Sequence, residues 1–325
     1  MIGKVAFSLA MFAVVPGAIA LGLIASQGPG TVDGAGGLDF SKQLARGLDD
    51  PLPVVPVQMR DGFALQVRHL EGPKDAPLLV MVHGSGWQGA QFDSLARDLA
   101  DQAEVLVPDL RGHGAQPGRR GDVDYIGQFE DDLADLIAAY RKPGQKVIAL
   151  GHSSGGGLVV RMAGGPHGGA LDGAVLLAPF LKYNAPTTRA NSGGWAHPLT
   201  RRLIGLSMLN AVKIRALNHL TVIQFAMPQT VLDGPLGHTA TTAYSYRLNT
   251  SYAPRNDYTA DIEALPPFLL AVGDRDEAFV AEGYQPLMSA HTDQGRYALI
   301  AGVTHLDVVD DPQTLTEIQG FLREF

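Results

Sequence analysis

The stretch from Lys146 to Ala163 constrains the fold more tightly than any other. An apolar run, Lys146 to Leu150, passes without a spacer into Gly151-His152-Ser153-Ser154-Gly155, and that turn runs straight into a helix-like segment, Leu158 to Ala163. A strand that becomes a helix over so few residues must turn sharply, which strains the backbone of Ser153 and exposes its hydroxyl. Gly151 and Gly155 stand two places away on either side, where neighbouring backbone passes too close for side chains. In a chain with 39 glycines such a spacing means little by itself. Its weight comes from the strand before it and the helix after it.

The rest of the chain repeats that alternation. Val54 to Met59 and Ala64 to Leu70 flank Asp61-Gly62 and read as a hairpin. Continuous apolar runs at Leu78 to Val82, Glu104 to Pro108, Ala174 to Ala178 and Phe268 to Val272 suit strands buried on both faces, with another strand at Tyr297 to Ala301. Helical spacing appears at Phe92 to Leu99, Gly283 to Ser289 and Gln313 to Phe325. It is clearest at Ile126 to Tyr140, with Ile126, Phe129, Leu133, Leu136 and Ile137 on one face and Glu130, Asp131, Asp132 and Asp135 on the other. Alternation of this kind predicts an α/β fold, a mostly parallel sheet with helices on both faces. The rhythm breaks at about 183–258, where polar loops and one long helix near Leu199 to His219 predict a cap inserted over the carboxyl edge of the sheet, the edge at which such sheets bind ligands. The domain is expected to span 51–325.

A serine hydroxyl needs a base to become a nucleophile. Among ten histidines, His305 follows the last strand on a short loop, and a Ser, acid, His order is the one this topology uses. Three carboxylates compete to orient it in Gly273-Asp274-Arg275-Asp276-Glu277. Asp276, at the far end of the turn, is the choice, with Asp274 expected to cap the turn and Glu277 to open the next segment. Backbone donors for an oxyanion are expected from Ser154, just after the nucleophile, and from Ser85 in His83-Gly84-Ser85-Gly86. His83 is expected to pack beneath that turn, and Arg111 and His113 of Asp109-Leu110-Arg111-Gly112-His113-Gly114 to position their loop.

The net charge of −8 offers no general basic footprint for nucleic acid. The absence of cysteine excludes disulfides, thiolate metal sites and a thiol nucleophile. No P-loop, dinucleotide fingerprint or His-Glu-x-x-His pattern occurs, so no cofactor and no metal is implied. Val5 to Ala25 is apolar and about as long as a bilayer core requires, with Lys4 before it. It predicts membrane association through residues 5–25, as an anchor that leaves the catalytic domain on the outer side, periplasmic or extracellular. The alternative is a signal peptide cleaved after Ala18-Ile19-Ala20, giving a secreted enzyme. Residues 26–50 read as a flexible linker.

With these motifs assembled, the sequence resembles the monoacylglycerol lipase and lysophospholipase branch of the α/β-hydrolases, grouped with serine aminopeptidase-like hydrolases. The resemblance rests on His83 to Gly86, Asp109 to Gly114, Gly151 to Gly156, Gly273 to Asp276 and Gly302 to His305. It implies an α/β-hydrolase fold, Asp276 as the acid, and a mobile cap gating an apolar acyl pocket. Ser154 stands where many relatives carry methionine. The expected activity is hydrolysis of carboxylic esters, of a small-molecule substrate that includes lipid-like ones. Leu206, Met208, Leu209, Phe225 and Met227 would either line an acyl site or pack the cap. The alternatives are a peptidase or amidase, which needs cap carboxylates such as Asp233 and Asp257 to hold an amine, and a non-catalytic binding protein on the same fold.

Overall fold

The computed structural model describes residues 15–32, 34, 37–42 and 51–325. Eight strands form the central sheet: β1 (Val54–Gln58), β2 (Ala64–Leu70), β3 (Leu78–Val82), β4 (Glu104–Asp109), β5 (Val147–His152), β6 (Gly173–Leu177), β10 (Phe268–Gly273) and β11 (Gly295–Ile300). Their order is β1-β2-β4-β3-β5-β6-β10-β11. β2 pairs antiparallel with both its neighbours, and all other pairings are parallel. The strands from β3 through β6, and β10, are buried along their whole length, the environment in which unbroken apolar runs are stable.

The chain leaves β3 for β4 on one side, then crosses back to β5 on the other. The carboxyl ends of β3 and β5 therefore lie side by side, Val82 opposite Gly151, and their loops leave in different directions. That reversal opens the crevice in which α/β sheets take ligands.

Between β6 and β10 lies a small antiparallel sheet, β7 (Ala196–Pro198), β8 (Thr221–Phe225) and β9 (Ala243–Ser245), with helices Thr200–Ala211 and Tyr246–Tyr252. The expected long helix to His219 stops at Ala211. Lys213 takes a left-handed φ of 64°, the Ile214 amide donates to the Leu209 carbonyl (2.9 Å), and the Lys213 amide to the Asn210 carbonyl (2.9 Å). This is the helix stop usually made with glycine, here built on a lysine that gives no warning in the sequence.

Residues 15–25 are helical. Ala20 and Ile24 pack with Leu206, Leu209, Val222 and Tyr246 of the insertion in a second apolar cluster. A Cβ on Gly205 would stand 2.5 Å from the Ala20 carbonyl oxygen, so glycine is what lets the two helices meet. The stretch read as a linker is held to the body at several described points. Gly30 exchanges hydrogen bonds with the Gln224 side chain (2.9 and 2.7 Å), Phe40 packs on Trp195 with ring centroids 5.8 Å apart, and Lys42 pairs with Asp307 at 2.7 Å. Among the described residues no helix is long and apolar enough to cross a membrane. Residues 5–14 of the expected anchor lie outside the described residues.

The helix Gln128–Tyr140 corrects one sequence expectation. Glu130 and Asp132 are not on a solvated face but buried, 3% and 2% exposed. Asp132 accepts two hydrogen bonds from Arg111 (2.7 and 3.0 Å). Glu130 pairs with Arg161 and Arg255, each at 2.5 Å. Arg161 also donates to the carbonyls of Thr250 and Ala253, where the chain returns from the insertion. A buried carboxylate is tolerable only when paired in this way, and removing one partner strands the other charge. Glu130→Ala is therefore expected to lower unfolding free energy by about 3 kcal/mol, read from urea denaturation. An unchanged midpoint would show that the cluster does not hold the insertion to the body.

Candidate active site

Ser153 follows directly on β5 with φ 54° and ψ −121°, a conformation that costs a non-glycine residue on the order of 1–3 kcal/mol. The strain is held by its surroundings. The Ser153 amide donates to the Leu177 carbonyl (2.9 Å), and its own carbonyl accepts from Gly157 (3.1 Å) and Phe180 (2.9 Å). A Cβ at Gly151 would meet the Gly155 carbonyl oxygen at 2.4 Å, and one at Gly155 the Val82 carbonyl oxygen at 2.1 Å. Both glycines are thus required by close approach, the first for the tightness of the turn and the second for the seating of helix Ser154–Ala163 on β3.

The structure brings the three nominated side chains into one line. His305 Nε2 lies 3.0 Å from Ser153 Oγ, and His305 Nδ1 lies 2.8 Å from Asp276 Oδ2. A carboxylate only accepts, so Nδ1 carries the proton and Nε2 is left to accept from the serine. The other Asp276 oxygen accepts from the amides of Ala278 (2.8 Å) and Phe279 (2.7 Å). All three residues are buried, with Ser153 the most accessible at 7%. Asp274 is exposed and accepts from the Gly302 amide at 2.6 Å, which ties its turn to the loop that carries His305.

Glu277, expected from sequence only to open the next segment, and His152, given no role there, fix His305 from behind. Glu277 accepts from the His305 amide at 2.9 Å through one oxygen and from the Asp39 amide at 3.2 Å through the other. His152 donates Nε2–H to the His305 carbonyl at 2.9 Å, while its Nδ1 faces the Gln91 amide nitrogen at 3.3 Å. Both contacts depend on where the last loop settles, against the loop after β10 for Glu277 and against the end of β5 for His152.

The turn carrying Ser85 is clasped from the insertion. The Gly86 amide donates to Tyr244 Oη (2.7 Å), and the Gly86 carbonyl accepts from the Thr241 amide (2.9 Å). Trp195 Nε1 donates to Ser85 Oγ (3.2 Å), and Tyr252 donates its hydroxyl to the His83 carbonyl. Tyr244 in turn donates to His113 Nε2 at 2.7 Å. Ser154 opens its helix, so its amide is one of those the helix itself leaves unpaired.

Two cavities meet at Ser153. One is about 820 Å³, lined by Ser153, His305, Leu38, Phe40, Trp87 and Met227 among others. The other is about 60 Å³, lined by Ser85, Ser153, Ser154, Phe180, Ile223 and Phe225 among others. Of the apolar insertion residues singled out from sequence, Met227 faces the first cavity and Phe225 the second, whereas Leu206 and Leu209 pack the N-terminal helix.

Three histidines beneath the site are kept uncharged by burial. His83 is pushed down to about 4 and His152 to about 3, and His113 falls well below its ordinary value. His83 accepts from the Leu110 amide (3.1 Å) through Nε2 and donates Nδ1–H to the Gly84 carbonyl (2.8 Å), which leaves no nitrogen free for a second proton. Below about pH 6.5 the unfolded chain binds protons here that the folded chain refuses. Stability should therefore be level above pH 7 and decline as pH falls from 6.5, by about 1.4 kcal/mol per unit for each such histidine. Urea unfolding at pH 7.5 and 5.5 measures this, and equal values would contradict it.

Residues 73–312 match the family described as serine aminopeptidase, S33. A monoacylglycerol lipase from Mycolicibacterium smegmatis is 32% identical over 107 residues, 32% of this chain and 38% of that protein. The magnesium-chelatase 30 kDa subunit of Rhodobacter capsulatus is 33% identical over 92 residues, 28% of this chain and 32% of that one. The chain spans about a third of the length of these curated relatives. Among solved structures, the monoacylglycerol lipase of Paleococcus ferrophilus superposes with a TM-score of 0.60 at 20% identity, covering 80% of this chain and 98% of that one, a likeness of fold. With a family match across most of the chain and a sheet of the same architecture, this protein belongs to the serine aminopeptidase-like S33 family of α/β-hydrolases.

Proposed function

We propose that the protein is a carboxylic ester hydrolase that works through an acyl-enzyme on Ser153. The observation that carries this reading is the unbroken line of contacts from Asp276 through His305 to Ser153 Oγ, at the carboxyl edge of the sheet where two cavities meet. In this scheme Ser153 Oγ attacks the ester carbonyl while His305 Nε2 takes its proton. Asp276 holds the imidazole in the tautomer that can accept, and stabilises the imidazolium that forms. The amides of Ser85 and Ser154 stabilise the oxyanion. His305 then gives its proton to the departing alcohol, and water repeats the sequence on the acyl-enzyme.

The cavity lining favours esters over peptides. Asp233 and Asp257, the carboxylates best suited from sequence to hold a substrate amine, line neither cavity. Asp233 accepts from Gln229 (2.8 Å) and Asp257 caps the helix Tyr258–Glu263. Of the carboxylates that do line the large cavity, Asp93 and Asp109 are both tied to Arg68, at 3.0 and 2.7 Å, and Asp310 is engaged within the protein. A non-catalytic role is disfavoured because all three members of the triad are present and in reach of one another. Residence at the outer side of a membrane rests on the apolar run Val5 to Ala25 alone.

Ser153→Ala should abolish hydrolysis of p-nitrophenyl esters, by about a thousandfold or more, and abolish labelling by a fluorophosphonate. Full turnover in that variant would sink the serine mechanism. Tyr244→Phe, which removes the acceptor of the Gly86 amide but keeps the ring, should lower kcat about tenfold with KM little changed, since a displaced oxyanion donor is felt mainly in the transition state. A change confined to KM would show that the clasp does not position the donor.

A further inference from the structure

We propose that the substrate is an ester of a short acyl group with a bulky, apolar alcohol, the acyl group occupying the small cavity and the alcohol the large one. This rests on the esterase reading and adds a direction to it. The proton that His305 takes from Ser153 must later reach the oxygen of the alcohol, so the alcohol has to lie on the His305 side. His305 lines the large cavity and does not line the small one. The acyl group stays on Ser153 Oγ with its carbonyl oxygen toward Ser85 and Ser154, the two residues whose amides are assigned to the oxyanion. The small cavity has both of these in its wall, whereas the large one has Ser85 but not Ser154.

Size then decides the chemistry. The small cavity measures about 60 Å³ against about 820 Å³ for the large one, so the acyl group is the short arm of the substrate and a fatty chain is poorly accommodated there. Its wall carries no charged residue, and it cannot easily yield. Phe225 stacks on Trp195 at 5.4 Å and meets Tyr244 edge-on at 4.7 Å, while Tyr244 is pinned through its hydroxyl to Gly86 and His113. Forcing extra methylenes into so fixed a wall is costly. The large cavity, at about 820 Å³, is in the range that encloses a substantial organic group. Phe40, Trp87, Trp195 and Met227 supply apolar and aromatic surface there, Arg68 pairs with both Asp93 and Asp109, and Arg97 and Asp310 in the same wall are engaged within the protein. An uncharged ring system is therefore the group it fits.

The test uses the full chain and two ester series. With 1-naphthyl esters of rising acyl length, kcat/KM should peak between acetate and butyrate and fall at least about tenfold by octanoate. With acetates, 2-naphthylmethyl acetate should exceed ethyl acetate by about tenfold or more. Ile223→Ala, which enlarges the small cavity without touching the reacting groups, should move the acyl optimum to longer chains. An optimum at octanoate, equal rates for the two acetates, or an optimum unmoved by Ile223→Ala would overturn this assignment while Ser153 still took up a fluorophosphonate. A folded protein that turned over no ester and took up no fluorophosphonate would instead overturn the esterase reading, and this assignment with it.

Discussion

The backbone of Ser153 at φ 54° is the constraint on which the rest of the site depends. Nothing in the serine itself favours that conformation, so the surroundings have to impose it. They do so through the pairing of β5 with β6, the carbonyl of Ser153 taking two amides, and glycines at 151 and 155 that let β3, the turn and the following helix close on one another. The carboxyl ends of β3 and β5 are adjacent because the strand order reverses there. That adjacency puts Ser85 and Ser153 within one crevice. Chain topology sets the position of the reactive groups first, and side-chain chemistry refines it.

A second level of support comes from long-range polar contacts. His305 sits on a loop with little intrinsic structure, yet it is fixed through its ring by Asp276, through its amide by Glu277 and through its carbonyl by His152. His152 can do this because burial keeps it uncharged, with one nitrogen as donor and the other facing Gln91. A protonated ring would carry a charge into the core with no carboxylate in contact to balance it. The same logic applies to His83 and His113 beneath the neighbouring turn, so the histidines around the site serve as hydrogen-bonding spacers whose value lies in staying neutral.

Much of this was legible in the sequence because it is local. The central strands announce themselves as apolar runs, and β2 and β3 fall on the expected residues. Ser153, Asp276 and His305 could be nominated from their places after strands, and the structure brings them together. What escaped depends on partners far away in the chain. Glu130 and Asp132 looked like solvated acids because the arginines that neutralise them lie 21 or more positions off. The strands β7 and β9 have three residues each, too few for an alternating pattern, and exist because β8 pairs with them. The packing of Ala20 and Ile24 against the insertion was hidden by a run that reads equally well as an address.

The clasp on the turn at Ser85 bears on how substrate reaches the site. Both polar groups of Gly86, the Ser85 hydroxyl and the His83 carbonyl are all engaged by residues of the insertion. An insertion that swung away as one body would break all of these hydrogen bonds together and release the turn at Ser85. The hydrogen bonds tie the insertion to the turn beside Ser153, at the edge of the large cavity. Any movement of the insertion therefore also moves that turn, so opening the crevice and reshaping the turn beside Ser153 are one event.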